Sequence, residues 1–379
     1  MYTISVIVPI FHGKQYMDGL VRQVEECREK ISNEDQVELI FVNDDPNETI
    51  LAEFSSQSIG ITILPTDCNR GIHGARVRGL ERSQGKYVLF LDQDDQIHPD
   101  YFMSQLSCIE DHDGAVCQVI HEKKMFYNSV TPFQRMMNKE YMFANGSPII
   151  SPGQVLLCKE AIPAVWKTQI VKHNGADDFL LWLCMLAEGK TFALNNQVLF
   201  EHVVKYDNAS LNTYNMMCSE EEVVHILLEN HVFPDDDRIW IEKMLYRMRK
   251  KSLANLDKFR KMFYILDDWM QAEEQGNGIE RFLKEQEINE IAIYGLGPLG
   301  RDLLKKLKNS SIHISYIIDQ NAGYLECEYP VYTLNDKLGA VNAVIISLVQ
   351  DELAIAEAIK RKISTKIFTI GEIVREIHT

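Results

Sequence analysis

The chain has 379 residues, of which 46% are apolar and 25% charged, and its formal net charge is −16. This length exceeds what one ordinary hydrophobic core accommodates, so it predicts two domains with a connector. The acidic charge argues against a nucleic-acid partner bound through a general basic field, because contacts to phosphates need positive charge.

The amino terminus and the cysteines indicate the compartment. The opening sequence MYTISVIVPIFHG begins with a strand and lacks the basic start and the small-residue cleavage site of a signal peptide. Apolar runs such as AVNAVIISLV are about half as long as a bilayer span. The eight cysteines include no CxxC pair and no zinc-type spacing, which is typical of free thiols in a reducing compartment. We expect a cytoplasmic protein, with peripheral contact at the inner face of the cell membrane as an open possibility.

Strand-like and helix-like segments alternate over the first hundred residues. Apolar, β-branched runs occur at 4–10, 37–43 and 86–92, and helix-period segments at 17–31 and 74–83 lie between them. Such alternation predicts a parallel sheet with helices on both faces, where ligands bind beyond the carboxyl ends of the strands. Polar residues follow three of these ends, namely His12 and Lys14, Asp44 and Asp45, and Asp92, Asp94 and Asp95.

Four segments in order carry a resemblance to a known enzyme family. They are VPIFHG, VNDDPNE, NRGIHGARVRGLERSQGKYVLFLDQDD and GADDFLLWL, within residues 3–210. This series resembles the successive motifs of the family 2 glycosyltransferases, which have the GT-A fold. A DxD triplet alone is common in acidic proteins, but a triplet after a buried strand, preceded by NxGxxxAR and followed by an acidic pair and LWL, is far more specific.

The resemblance implies an α/β protein whose residues 1–212 form a GT-A type, Rossmann-like domain. It also implies an inverting enzyme that transfers a sugar from a nucleotide donor, expected to be UDP-linked, to a hydroxyl acceptor. The implied partners are the nucleotide sugar and a glycan or lipid-linked acceptor in surface polysaccharide or glycolipid synthesis.

Three carboxylates crowd into four positions at Asp92, Asp94 and Asp95, where they repel one another unless a positive group lies among them. In the family, the first Asp of this motif lies near the ribose and a later one binds a metal, which implies Asp92 for the nucleotide and Asp94 or Asp95 for the metal. A cation held there would neutralise the departing diphosphate, and oxygen ligands favour Mn²⁺ or Mg²⁺. The alternative is a solvated acidic turn that caps the helix expected near His98.

A histidine that closes the metal site in many relatives is replaced in this chain. Relatives have a segment such as YRxHxxS, whereas this chain reads FEHVVKYDNASLN. Tyr206 stands where that histidine is expected, and His202 is the nearest substitute. Either His202 is a metal ligand, or it is structural and the metal is held by one aspartate, the diphosphate and water.

The nucleotide side of the predicted donor site involves Pro9 of the first motif and two further positions. Asp44 matches the family carboxylate that accepts a hydrogen bond from uracil N3–H. The chain reads VNDDPNE where relatives more often have DDGS, so the choice between Asp44 and Asp45 stays open. Asp45 could instead cap a helix ahead of Pro46. Arg76 matches a family arginine near the nucleotide, and its alternative is a solvated arginine on a helix.

The acidic pair Asp177 and Asp178 is the predicted catalytic site. An inverting transfer needs a base opposite the leaving group, to take the proton from the attacking hydroxyl. In the family the second acid supplies this base, which implies Asp178, with Asp177 in place of the commoner Glu. Both residues also fit first-turn acids that stabilise a helix through its dipole, and the two roles are compatible. Trp182 is expected either to line the acceptor site or to belong to the core.

Residues 213–285 are predicted to form a helical connector. Ser219 and Glu222 have the spacing of a capping box and predict a helix start. Apolar residues at three-to-four spacing predict a long helix over 234–270, whose other face carries many cations. In an acidic protein such a face predicts contact with an anionic membrane surface or an interdomain helix pair with a solvated basic side.

Residues 286–379 are predicted to form a small Rossmann-like domain. The segment NEIAIYGLGPLGRDLLKKLK indicates a strand, a GxGxxG turn and a helix, and an acidic residue ends the next strand. The possible second nucleotide site comprises Gly295, Gly297, Gly300 and Asp319. The domain is half as long as a full dinucleotide fold, so we expect no hydride chemistry. It resembles modules appended to some sugar-modifying enzymes, and a docking role toward a second copy or a partner enzyme is the alternative.

Two competing functions remain compatible with this pattern. A sugar-1-phosphate nucleotidyltransferase has a similar sheet, but it needs a glycine- and arginine-rich phosphate loop, and FHGKQYM contains one glycine and one lysine. A degenerate transferase that binds a sugar nucleotide as a scaffold is the competing function without catalysis.

Overall fold

The computed structural model describes the chain apart from residues 1, 49, 51–53, 55, 122–123, 127–129, 204–211, 326 and 379, and omits the side chains of 121, 124–126, 130–132 and 324. The chain divides into two compact units, Met1–Ser252 and Leu253–Thr379. The domain boundaries predicted at 212 and 285 stay predictions.

The first unit is a mixed α/β domain. Its strands are β1 (Ile4–Ile10), β2 (Val37–Asn43), β3 (Gly60–Leu64), β4 (Tyr87–Phe90), β5 (Gln96–Ile97), β6 (Gly114–His121), β7 (Lys124–Phe126), β8 (Val155–Cys158) and β9 (Phe192–His202). Its helices are α1 (Met17–Glu29), α2 (Gly71–Arg82), α3 (Tyr101–Ile109), α4 (Val130–Met136), α5 (Lys139–Asn145), α6 (Ala164–Thr168), α7 (Asp177–Ala187) and α8 (Thr213–Glu229). The long helix α9 (Arg238–Glu274) begins in this unit and ends in the second.

The strands described in the first unit form one sheet. Their order is β3-β2-β1-β4-β8-β6-β9-β5, with β7 paired to β6. Strands β3, β2, β1 and β4 are parallel, whereas β8 is antiparallel to both of its neighbours. The carboxyl ends of β1, β2 and β4 therefore meet at one edge, which is where the predicted polar residues follow. This arrangement confirms the predicted α/β fold.

Helices cover both faces of this sheet because its central strands alternate between two apolar layers. In β1, Val6 and Val8 pack in one layer with α1 and α3, whereas Ile7 packs in the other with α2 and α7. In β2, Phe41 and Val42 divide in the same way. Side chains of a strand point alternately to its two faces, so continuous apolar runs are what a sheet buried on both sides requires.

The second unit contains a parallel sheet of its own. Its strands are β10 (Glu290–Tyr294), β11 (His313–Ile318), β12 (Val331–Tyr332), β13 (Ala343–Ile346) and β14 (Lys366–Thr369), in the order β12-β11-β10-β13-β14. Its helices are the carboxyl-terminal part of α9, α10 (Ile279–Glu285), α11 (Pro298–Leu307), α12 (Glu352–Lys360) and α13 (Ile370–His378). The parallel order confirms the predicted Rossmann-like fold of the second domain.

Helix α8 corrects one prediction from the sequence. It begins at Thr213, and its amino-terminal cap is Asn212, whose side chain accepts a hydrogen bond from the Asn215 N–H. The predicted capping box is wrong, because Ser219 and Glu222 lie inside the helix. A capping box and an interior pair on one helical face share the same spacing, so the local sequence does not separate them.

Helix α9 exposes large apolar side chains within the second unit. They are Leu253, Leu256, Phe259, Phe263, Tyr264 and Met270, each at least 45% exposed. The exposed cations Arg260 and Lys261 lie among them. In the part of the chain that the structure describes, no helix combines the length and the apolar composition of a membrane span.

Candidate active site

A cleft of about 560 Å³ opens at the carboxyl edge of the first sheet. Its lining includes eight of the ten residues predicted for the donor, the metal and catalysis, namely Pro9, Asp44, Arg76, Asp92, Asp94, Asp177, Asp178 and His202. The other two, Asp45 and Asp95, lie buried beside it. Residues from four distant parts of the sequence therefore meet in one cavity of the size that small-molecule sites have.

Arg76 joins two of the acidic motifs. Its Nη2 lies 2.5 Å from Asp92 Oδ1, and its Nη1 lies 2.6 Å from Asp177 Oδ2. Its side chain is only 4% exposed, so the alternative of a solvated arginine is wrong. Burial opposes the charged form, but the carboxylates of Asp177 and Asp92 raise the pKa of Arg76 above its ordinary value. The guanidinium is therefore a fixed positive charge between the two acidic motifs.

Of the two acids in the pair, Asp177 forms the hydrogen bond with Arg76 and Asp178 does not. Asp177 and Asp178 occupy the first turn of α7, as predicted, and Asp178 Oδ1 accepts a hydrogen bond from the Phe179 N–H at 2.7 Å. Burial, and then the negative charge of Asp177, raise the pKa of Asp178 to about 7, although Arg76 acts in the opposite direction. A half-buried carboxyl that titrates near neutral pH is suited to general base catalysis.

Asp95 holds His202. Asp95 Oδ1 lies 2.9 Å from His202 Nδ1 and 3.0 Å from the backbone nitrogen of Val203, and its Oδ2 accepts from the Ser151 hydroxyl at 3.1 Å. Burial raises the pKa of Asp95 to about 6, against the hydrogen bond from His202. Both oxygens thus have protein donors, in the arrangement by which a carboxylate orients a metal-binding histidine.

The residues at this end of the cleft fit a hard divalent cation. Asp94 and His202 both line the cleft. Burial opposes the protonated form of His202, but the hydrogen bond to Asp95 and the charges of Asp95, Asp92 and Asp94 raise its pKa. One carboxylate and one imidazole held by a second carboxylate suit Mn²⁺ or Mg²⁺ better than a sulfur-rich site would. Tyr206, at the position where relatives have the closing histidine, lies outside the described residues.

Asp44 and Asp45 point to different surroundings. Asp44 is buried at the cleft wall, where its Oδ1 accepts a hydrogen bond from the Arg70 N–H at 2.8 Å, and burial raises its pKa. Asp45 accepts from the Asn47 N–H at 2.9 Å and lies 3.0 Å from His12 Nδ1. The hydrogen bond to Asn47 closes a local turn, and no helix begins there in the described part of the chain.

His12, Asp45 and Glu48 form a separate group outside the predicted metal site. One ligand atom from each residue lies within 4.8 Å of the others. The imidazole of His12 is exposed, and its Nδ1 lies 3.0 Å from Asp45 Oδ2, close to the ends of β1 and β2. None of the three was predicted as a metal ligand.

Asn69 and Asn174 are among the cleft residues that the sequence analysis did not predict. Asn69 Oδ1 accepts from the Gly71 N–H, and Asn174 Oδ1 accepts from the Ile72 N–H, both at 2.9 Å, so the two amides shape the amino terminus of α2. Asn69 stands inside the quoted NRGIHGAR segment, and Asn174 belongs to an Asn-Gly pair just ahead of a helix, which were the available signals. Trp182 is fully buried in α7, which confirms its assignment to the core.

The glycine loop of the second unit has the predicted close-packed turn. Gly295 has a φ of +91°, and a side chain at Gly300 would approach the Gly295 carbonyl oxygen to 2.1 Å, so both positions require glycine. Asp319 Oδ2 accepts from the Leu296 N–H at 2.9 Å, and its Oδ1 accepts from the Asn321 N–H at 2.9 Å. Asp319 therefore connects β11 to the glycine loop, and the second glycine of this loop, Gly297, directly precedes α11.

One family model matches part of the first unit. The model of the family described as Glycosyl transferase family 2 matches residues 5–163. This range covers β1 to β8 and the three motifs that contain Asp44, Arg76 and Asp92, and it ends before the acidic pair of α7.

Curated relatives of this chain also carry glycosyltransferase names. The chain is 25% identical to the putative teichuronic acid biosynthesis glycosyltransferase TuaG of Bacillus subtilis, over 56% of this chain and 82% of TuaG. It is 21% identical to the UDP-Glc:alpha-D-GlcNAc-diphosphoundecaprenol beta-1,3-glucosyltransferase WfgD of Escherichia coli, over 60% and 88%. Several other relatives are matched over only 13% to 52% of their own length. Residues 1–349 of S. aureus TarS, solved with UDP-GlcNAc, align at a TM-score of 0.47 and 15% identity, over 65% of this chain and 71% of TarS.

Proposed function

We propose that this chain, whose residues 5–163 match the model of glycosyl transferase family 2, transfers a sugar from a UDP-linked donor to a hydroxyl acceptor, with inversion at the anomeric carbon. The observation that carries this proposal is the Arg76 bridge, which brings the donor-side Asp92 and the acidic pair of α7 into one cleft. A transferase needs the leaving group and the base at the same reacting centre.

The proposed donor and pathway rest on Asp44 and on the relatives. Asp44 presents a buried carboxylate at the cleft wall, where it would accept the uracil N3–H. The name of WfgD gives UDP-Glc as its donor, and the name of TuaG places it in teichuronic acid biosynthesis. We extend the donor class and cell-surface polysaccharide synthesis to this chain.

The proposed metal site uses Asp94 and His202, with Asp95 as the residue that orients His202. A bound Mn²⁺ or Mg²⁺ would stabilise the negative charge of the departing diphosphate as a Lewis acid. The protein contributes the fixed imidazole, the Asp94 carboxylate and the positive charge of Arg76 near Asp92. Asp178, on α7, is the proposed base that removes the proton from the acceptor hydroxyl.

UDP and Mn²⁺ together are expected to raise the melting temperature of the protein far more than either alone. A ligand at a hundred times its Kd adds about 2.7 kcal/mol to the free energy of unfolding, and the proposed cation carries part of the diphosphate contact. Differential scanning fluorimetry of the wild type, Asp94→Asn and Asp18→Asn measures this effect. The exposed Asp18 of α1 is the matched control and should behave as the wild type. Equal stabilisation by UDP in EDTA, or an unchanged metal effect in Asp94→Asn, would show that the metal assignment is wrong.

The second unit is proposed to serve assembly and surface contact, and a nucleotide at Gly295, Gly297, Gly300 and Asp319 stays a second hypothesis. Support comes from the apolar and basic side chains that α9 exposes, which fit a second copy, a partner enzyme or an anionic membrane surface.

The full chain is expected to sediment as a dimer and to bind vesicles of anionic lipid, whereas residues 1–252 should do neither. The truncation removes the exposed apolar side chains of α9 beyond Leu253 together with their neighbouring cations. Analytical ultracentrifugation and vesicle co-sedimentation measure the two effects, with neutral-lipid vesicles as the control. A shortened chain that keeps both the assembly and the vesicle binding would contradict the proposal.

A further inference from the structure

Glu222 of α8 binds the loop that leads into the acidic pair. Its Oε2 accepts hydrogen bonds from the backbone N–H groups of Lys172 and His173, at 2.6 and 3.2 Å. Its Oε1 lies 2.8 Å from Nδ1 of the His173 ring. One carboxylate therefore holds two successive backbone groups and one side chain, which is a strong, charge-assisted arrangement.

Ser219, one turn earlier on α8, holds the same loop closer to the catalytic pair. Its hydroxyl oxygen accepts a hydrogen bond from the Ala176 N–H at 2.8 Å. On the opposite side, the Asn174 amide oxygen accepts from the Ile72 N–H of α2. The loop is thus fixed both to α8 and to the helix that carries Arg76.

Helix α7 has no side-chain cap at the residue before its first turn, so contacts from outside the helix restrain its entry. The residue before its first turn is Ala176, which has no side-chain hydrogen bond to the helix. The first N–H groups of a helix lack partners within the helix, and a side-chain cap normally contributes about 0.5–2 kcal/mol. Side chains of α8 restrain the entry to α7 instead, and Asp178 lies in the first turn that follows.

Helix α8 also reaches the cleft directly. Asn212, at its cap, and Asn215, in its first turn, line the same cavity as Asp178. The helix therefore contacts the cleft at one end and, one to two turns later, the loop before the proposed base.

We propose that Glu222 is a positioning residue for Asp178, with Ser219 as its companion, so that α8 sets the place of the base relative to the donor. This inference rests on the proposed function of Asp178. Displacement of a catalytic group by about 1 Å can lower turnover by about a hundredfold. Replacement of Glu222 should therefore displace Asp178, the proposed base. It should not displace the donor-binding residues that follow β1, β2 and β4.

Glu222→Ala is expected to lower kcat by about tenfold or more, while UDP affinity and the KM for the donor stay within about twofold of the wild type. Glu222→Gln should retain more of the turnover than Glu222→Ala, because its amide oxygen still accepts hydrogen bonds from the two backbone N–H groups. If Glu222→Ala folds poorly, Glu222→Gln is the variant in which kcat is measured. Glu221→Ala is the matched control. Glu221 is the adjacent residue on α8 and forms a 2.6 Å ion pair with Arg249, away from the loop. A Glu222→Ala enzyme with kcat within twofold of the wild type would overturn the inference.

A double-mutant cycle with Asp178→Asn separates this inference from the proposed function. If Glu222 acts through Asp178, its replacement should lower kcat in the wild-type enzyme and have little further effect in Asp178→Asn. An equal loss in both backgrounds would overturn the positioning role while leaving the base assignment intact. If Asp178→Asn alone keeps wild-type turnover, the proposed base is wrong and the inference fails with it.

Discussion

Replacement of Asp178 by asparagine should lower turnover by about a hundredfold or more, the range that a general base contributes, and leave UDP binding unchanged. The substitution keeps the size of the side chain and its place in the first turn of α7, but an amide does not accept the proton of the acceptor hydroxyl. Steady-state transfer assays with a panel of nucleotide sugars, together with UDP titration by calorimetry, measure the two quantities.

Asp177→Asn tests whether the base is assigned to the right member of the pair. Asp177 forms an ion pair with the buried Arg76, so we expect Asp177→Asn to lower the free energy of unfolding, whereas Asp178→Asn should not. A hundredfold loss of kcat in Asp177→Asn, at a free energy of unfolding close to that of the wild type, would move the base to Asp177. A donor-binding scaffold would instead show UDP binding and no turnover in any variant.

The pH dependence of the wild type should follow the raised pKa of Asp178. The active form is the ionised carboxylate, so kcat/KM should fall as the pH decreases through about 7. If the residual activity of Asp178→Asn still falls as the pH decreases through about 7, a group other than Asp178 causes the pH dependence.

The same pKa predicts an effect on stability that needs no substrate. The folded state raises the pKa of Asp178 above its unfolded value, so the folded chain holds a proton that the unfolded chain loses at lower pH. The associated stability is present below the unfolded pKa and is lost as the pH rises through about 7. Asp178→Asn should therefore be more stable than the wild type at pH 8, by about 1 kcal/mol or more, and nearly equal to it at pH 4.

Replacement of Arg76 by methionine should lower the free energy of unfolding of the first unit by about 3 kcal/mol or more. Methionine keeps the length and most of the apolar stem of arginine but removes the charge. The buried Asp177 and the partly buried Asp92 would then lose their shared partner, and they would also repel the nearby Asp178. Urea unfolding of residues 1–252 at pH 7.5 measures the change.

Arg82→Met is the matched control for this experiment. Arg82 lies on the same helix, α2, in its last turn, and is exposed. A surface arginine without a buried partner contributes less than about 1 kcal/mol, so the control should unfold near the wild-type urea concentration. An Arg76→Met protein as stable as Arg82→Met would contradict the structural role assigned to the bridge.

The order of the motifs was enough to predict the fold class and the strands that carry the site. The predicted strands at 4–10 and 37–43 match β1 and β2 residue for residue, and the sheet is parallel around them. Continuous β-branched runs with helical segments between them have few stable packings, because both faces of such strands need an apolar cover. The acidic cluster after β4 likewise had to lie at the carboxyl edge of this sheet.

The partners of the individual side chains depended on contacts between residues far apart in the chain. Asp94 and Asp95 were the two alternatives predicted for the metal, and the oxygens of Asp95 accept hydrogen bonds from His202, Val203 and Ser151. Ser151 and His202 lie 56 and 107 residues away along the chain, so no local pattern indicates that they meet Asp95.

In helix α8, too, the local sequence pattern did not predict the contacts that the side chains make in the folded protein. The spacing of Ser219 and Glu222 predicted hydrogen bonds at the start of their own helix, whereas both side chains accept backbone N–H groups of the loop before α7. A capping pair is defined by short-range spacing, whereas the loop it holds, at residues 172–176, is brought alongside by the packing of α8 on α7. Composition and periodicity were sufficient for the parallel pairing of β1, β2 and β4 and for the residue types that follow these strands, whereas the antiparallel β8 was not predicted. Only the tertiary structure decided which charged and hydrogen-bonding groups pair within the cleft. The energies of ion pairs and hydrogen bonds depend on which groups, distant in the sequence, lie together in a region of low dielectric constant.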